Sequence, residues 1–262
     1  MGKWAPFPHP GAFDYGEAEV RRLWPRLHAS DAEPLPQDPA ALTAWCHFHR
    51  GDYQQAAEAG LKAGSAGTVA ALKAMCIQAT YLEKKEKARL DLFLDAAQRA
   101  QTLALREPTY ASAWYLHGYS LGRYSQGISV ARALAQGLGG TVKESLERAV
   151  KLQPRHAEAH IALGAFHAEV IDKVGALIGG MTYGAKRETG LKLFQEGMRL
   201  APGSIIAVIE YANGMVMLEG ESRMAEATTL YERAAAMTPA DAAERLNVAL
   251  AQAQLQDEPR HG

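Results

Sequence analysis

Cysteine is nearly absent: Cys46 and Cys76 are the only two thiols in 262 residues. Two distant cysteines cannot staple a small secreted scaffold, and they read as small buried residues in a reducing compartment. Charge of one sign is missing too, with 28 Lys and Arg against 29 Asp and Glu. No net field draws such a chain toward nucleic acid or an anionic membrane; only a local basic patch would do so. No window approaches the roughly 18 uncharged apolar residues of a membrane span. The opening Met1-Gly2-Lys3-Trp4-Ala5-Pro6 lacks the apolar core of a secretory signal. Pro6 also stands where an N-myristoylation motif wants Ser or Thr. These absences make a cytoplasmic protein the default expectation, or a periplasmic one had a leader been cleaved. Alternating β-branched runs are missing as well, so strands are not expected.

What is present divides unevenly. Residues 1–36 hold six of the twelve prolines (Pro6, Pro8, Pro10, Pro25, Pro34, Pro36) together with Trp4, Phe7, Phe13, Tyr15 and Trp24. Proline blocks helix interiors, so this reads as an extended arm with one short helix near Tyr15–Leu27. Its aromatic surface gains by lying on something rather than staying in water. Residues 37–256 are rich in Ala, Leu, Glu and Arg, with apolar residues spaced by three and four: helix after helix. Residues 257–262 form a polar end expected to be flexible.

A period runs through the helical part. Ala149-Val150-Lys151-Leu152-Gln153-Pro154, Gly197-Met198-Arg199-Leu200-Ala201-Pro202 and Ala234-Ala235-Ala236-Met237-Thr238-Pro239 end alike, and Leu103–Pro108 is close to them. Each proline stops a helix. Trp114-x2-His117-Gly118-x2-Leu121 and His160-x2-Leu163-Gly164-x2-His167 then recur, as do Gly190-x3-Phe194 and Ala227-x3-Tyr231 ahead of a closing proline. Ala40-x2-Thr43-Ala44-x2-His47, followed by Gly51-Asp52-Tyr53, marks an earlier unit. Together these resemble the tetratricopeptide repeat, with Trp-x2-Leu-Gly-x2-Tyr on one helix and Ala-x3-Phe with a closing Pro on the next. The resemblance covers roughly residues 38–255. It implies an all-α fold, a right-handed α-α superhelix of about five helical hairpins, with a C-terminal capping helix near Ala242–Gln256. A large side chain over a Gly or Ala of the neighbouring helix is what lets such hairpins approach closely.

The spacing departs from that family. Trp114 to His160 is 46 residues and His160 to Val208 is 48, against about 34 in a regular array. The surplus falls within hairpins, at Gly127–Thr141 and Asp172–Lys186, as two apolar, glycine-bearing inserts expected on one edge. Long hairpins of this kind also look like the T-component of TRAP transport systems, which implies a small hydrophobic ligand carried in a pocket built by the inserts.

Chemistry-bearing constellations are few. His156, His160 and His167 lie near one helical face and could be imagined around zinc with Glu158 or Glu169. However, His160 and His167 occupy the repeat's packing positions, so a structural role is expected, with no metal. His47 and His49 cannot share a helical face. Gly179-x4-Gly184-Ala185-Lys186 misplaces one residue of a phosphate loop and follows a helix, so these read as loop glycines. No nucleophile elbow or paired catalytic carboxylates stand out, and no enzyme activity or cofactor is expected. The repeat's geometry would instead turn Trp45, Phe48, Tyr115, Tyr119, Arg123, Ile161, Ile209, Asn213 and Met217 toward a concave groove. An apolar lining of that kind suits a protein or peptide segment, and the chain's own N-terminal arm could fill part of it. The expectation is a scaffold holding a protein partner.

Overall fold

The computed structural model describes residues 2–257, and among them the regular structure is entirely helical. Fourteen α-helices follow one another: α1 (Glu17–Leu27), α2 (Pro39–Arg50), α3 (Tyr53–Lys62), α4 (Ser65–Ile77), α5 (Glu86–Arg106), α6 (Ala111–Gln126), α7 (Val130–Ala135), α8 (Leu138–Leu152), α9 (Ala157–Val174), α10 (Ala176–Tyr183), α11 (Arg187–Leu200), α12 (Ile205–Glu219), α13 (Met224–Ala236) and α14 (Ala242–Asp257). A π-helical turn at Gln78–Leu82 ends α4. Of the end expected to be flexible, 257–262, only Asp257 falls within α14, and the remainder lies outside the described residues.

Local signals set most of the boundaries. Asp38 caps α2, its carboxylate accepting from the N–H groups of Ala40 (2.7 Å) and Ala41 (3.1 Å) with Pro39 at the first helical position. Gly51 ends the same helix at φ +92°, a left-handed turn closed to most side chains. Ser129 and Ser204 cap α7 and α12 in the same manner as Asp38. Pro108, Pro154, Pro202 and Pro239 each stand two or three residues past the end of a helix (α5, α8, α11, α13), as the recurring motif predicts.

The described residues form two compact units, residues 2–28 with 32–154 and 241–243, and residues 29–31 with 155–240 and 244–257. In the first unit α2 pairs with α3, α4 with α5 and α6 with α8. The arm, apart from residues 29–31, belongs to this unit. Trp4 donates its backbone N–H to Gln54 Oε1 at 3.0 Å, Phe7 is buried edge-on to Tyr53, and Val20 and Trp24 of α1 are buried. In the second unit α9 pairs with α11 and α12 with α13, while Val248 and Ala251 of α14 join Ile205, Val208, Ile209 and Ala234 in one cluster. Among the described residues there are therefore five hairpins and a closing helix.

The close approaches rest on glycine. The Phe194 ring of α11 lies between Gly164 of α9 and Gly214 of α12. A methyl group at Gly164 would be 3.2 Å from it, and one at Gly214 only 2.2 Å. In the first unit Gly118 of α6 leaves room for Leu146 of α8, which a methyl would meet at 2.7 Å.

Both long hairpins carry a short helix between their two arms. α7 occupies the insert expected at 127–141 and α10 the one at 172–186. Gly179 is not a loop glycine, as the sequence suggested, but lies inside α10, whereas Gly184 does turn the chain just past the helix end at φ +64°. Gly139 and Gly140 lie within α8. Packing makes the difference for Gly179, which is buried with the Val170 side chain so close that a methyl would approach it to 2.8 Å.

Candidate functional site

The nine residues expected to line a groove separate into two sets. Trp45, Phe48, Tyr115, Ile161 and Ile209 are buried in the core, so they are corrected here from groove lining to packing. Trp45 meets Trp24 of α1 edge-on at 5.7 Å and His28 at 4.6 Å, and Phe48 packs on Tyr53. Ile161 presses on Gly197 of α11, where a methyl would come within 2.6 Å. Ile209 is enclosed by α13 and α14. The position after the repeat's packing residue thus faces a neighbouring helix instead of solvent. Tyr119, Arg123 and Asn213 are half-buried, and Met217 is 39% exposed. Tyr119 tilts against Tyr115 at 5.7 Å on α6 of the first unit. In the second unit Asn213 and Met217 lie one turn apart on α12, where Tyr231 donates its hydroxyl to Asn213 Oδ1 at 2.6 Å and fixes the amide.

The histidines of α9 work for the fold. His156 caps the helix, its Nδ1 accepting from the Ala159 N–H at 3.2 Å. His160 Nδ1 donates to the His156 carbonyl at 3.0 Å. His167 Nδ1 accepts from the Lys186 N–H at 3.0 Å, tying α9 to the start of α11. Among the described residues no three His, Cys, Asp or Glu side chains are grouped to hold a metal ion.

One polar chain escaped the sequence reading. His49 Nδ1 donates to Asp241 Oδ2 at 2.8 Å, and His49 Nε2 lies 3.3 Å from His28 Nε2 with one proton between them. All three residues are buried. Nearby, buried Glu33 accepts from the hydroxyls of Tyr110 and Ser112. An Asp–His pair evokes general-base chemistry, but both nitrogens of His49 are already engaged and the ring is 1% exposed, so it has no face for a substrate. Asp241, His49 and His28 come from three distant stretches with no shared spacing, and no sequence signal could have joined them.

The cysteines are equally withdrawn. Burial pushes the Cys76 thiol up to about 11, against a partly offsetting hydrogen bond with Ser120, and burial also raises Cys46. Neither is poised as a nucleophile.

Among solved structures, the chain is similar to TTC0263, described as a thermophilic TPR protein in Thermus thermophilus. The TM-score is 0.56 and the identity 17%, over 82% of this chain and 97% of that one. The fold is tetratricopeptide-like. Two structures of MamA align at a TM-score of 0.38, with 18% identity over 73% and 76% of this chain and 85% and 94% of theirs; they add nothing to the argument. No family model matches the sequence, and no curated relative does. The looser likeness to the TRAP T-component gains no support from these comparisons.

Proposed function

We propose that the protein is a non-enzymatic interaction scaffold that docks a protein segment on the first helices of its hairpins. The observation that supports this reading best is the α12 face of the second unit. There Met217, 39% exposed, stands one turn from an Asn213 amide held in place by Tyr231. An adaptable apolar anchor beside an oriented donor and acceptor is the combination that peptide grooves use. Tyr119 and Arg123 supply a second such pair on α6 of the first unit. The arm takes the place of a ligand over Trp45, through Trp24.

The carrier reading needs the insert side chains to converge on a cavity. Leu177, Ile178 and Met181 are instead turned to solvent, which favours docking over enclosure. Co-purification of the full chain from its native source tests the proposal. A stoichiometric protein partner is expected, weakened roughly thirtyfold by Met217→Glu if that residue is a binding hot spot. Recovery of a bound small hydrophobe by native mass spectrometry, with no protein partner, would count against it.

A further inference from the structure

The helix α10 is built inside out. An insert helix on a protein surface normally turns its large apolar side chains inward and its small or polar residues outward. Here two glycines face the body: Gly179 packs on Val170 so closely that a methyl would meet it at 2.8 Å, and Gly180 lies over the Ala185 carbonyl. The large residues face water, with Leu177 77%, Ile178 59% and Met181 81% exposed. These three account for much of the large apolar surface exposed among the described residues.

This exposure is held in place. The Gly184 N–H donates to the Gly180 carbonyl at 3.0 Å and the Ala185 N–H to the Gly179 carbonyl at 3.1 Å, closing the helix end. Tyr183 meets Phe166 edge-on at 6.3 Å, buried Ala185 joins the core, and Lys186 is tied to His167. A helix clamped at this many points presents its apolar face by construction.

The chemistry of the face selects its occupant. Between residues 173 and 187 there is no Asp or Glu, while Lys173, Lys186 and Arg187 stand exposed at the roots of the insert. Asp172 and Glu188 adjoin the stretch, and Glu169 lies 3.9 Å from Lys173. The three exposed side chains amount to on the order of 400 Å², about half of what one partner contributes to a standard protein interface of roughly 800 Å² per side. The helix itself carries no charged side chain to form a polar rim. A lipid surface requires neither area nor shape complementarity. It accepts apolar side chains to a depth of about 5–10 Å and attracts flanking Lys and Arg to anionic headgroups. Eight residues span about 12 Å, far short of the roughly 30 Å hydrocarbon core, so only shallow insertion fits.

We propose that α10 is a membrane-surface anchor, with Leu177, Ile178 and Met181 entering an anionic bilayer and Lys173, Lys186 and Arg187 contacting its headgroups. The test is co-sedimentation of the full chain with vesicles of phosphatidylcholine mixed with phosphatidylglycerol, and with phosphatidylcholine alone. Binding to the mixed vesicles is expected, falling as salt is raised. The triple variant Leu177→Ser, Ile178→Ser, Met181→Ser should bind more than about tenfold more weakly. Lys186→Gln with Arg187→Gln should lose roughly fivefold per charge on the mixed vesicles only. All these side chains face solvent, and unchanged circular dichroism will confirm that the variants fold. Failure of the parent chain to bind mixed vesicles overturns the proposal, as does a triple variant that binds as well as the parent. A parent that is dimeric by light scattering, with a monomeric triple variant, assigns the face to a second copy of the chain and likewise overturns it.

Discussion

A single methyl group at Gly214 tests the packing on which the second unit depends. Built on the existing backbone, it would lie 2.2 Å from both Cε2 and Cζ of Phe194, where carbon atoms in contact keep roughly 3.5–4.0 Å. The ring has nowhere to go, because it is completely buried and Gly164 approaches its other side. Propensity works the opposite way, since Ala in a helix interior is favoured over Gly by about 1 kcal/mol. Overpacking a filled core costs about 1–3 kcal/mol, and a required shift of more than about one ångström puts this site at the upper end of that range. Gly214→Ala should therefore destabilise by a net of roughly 1–2 kcal/mol. Gly140 of α8, with nothing within 4 Å of the added methyl, supplies the contrast: Gly140→Ala should stabilise by up to about 1 kcal/mol. Urea titrations followed by far-ultraviolet circular dichroism will read both as midpoint shifts at unchanged slope. Phe194→Leu, destabilising alone, should relieve Gly214→Ala in a double-mutant cycle, with a coupling of about 1 kcal/mol or more. A Gly214→Ala protein as stable as the parent, or a cycle without coupling, would refute the sandwiched-ring account.

Other predictions follow from individual side chains. With its thiol raised from 9.0 to about 11, Cys76 holds about a hundredfold less thiolate at a given pH; iodoacetamide should leave it intact in the folded protein and modify it in urea, and rapid native alkylation would contradict this. Burial lowers His117 below its ordinary 6.5, while its Nδ1–H donates to Ser145 Oγ at 2.9 Å. As pH falls below 6.5 the unfolded chain takes up a proton that the folded chain refuses, so stability present above that pH declines through the window down to the folded value. His117→Gln should flatten this part of the stability profile. Asp38→Ala removes the acceptor for two N–H groups of α2 and should cost about 1 kcal/mol in the same urea assay.

The sequence alone carried what is local and periodic. Asp38, Gly51 and the closing prolines act on backbone within a few residues of themselves, so they mark helix ends whatever surrounds them. The recurring Gly118 and Gly164, with Gly190-x3-Phe194, likewise encode hairpins, because a large side chain needs a missing one opposite it. Spacing also located the two inserts. Tertiary structure decided which surface faces outward. Helical periodicity places Trp45, Ile161 and Ile209 on a face but cannot say whether a neighbour covers that face, and in each case one does. For α10 the same ambiguity ran the other way, since glycines that read as loop become the packed side and the aliphatic residues are left to solvent. The Asp241–His49–His28 chain was wholly a product of folding, because burial and proximity across distant segments leave no trace in spacing.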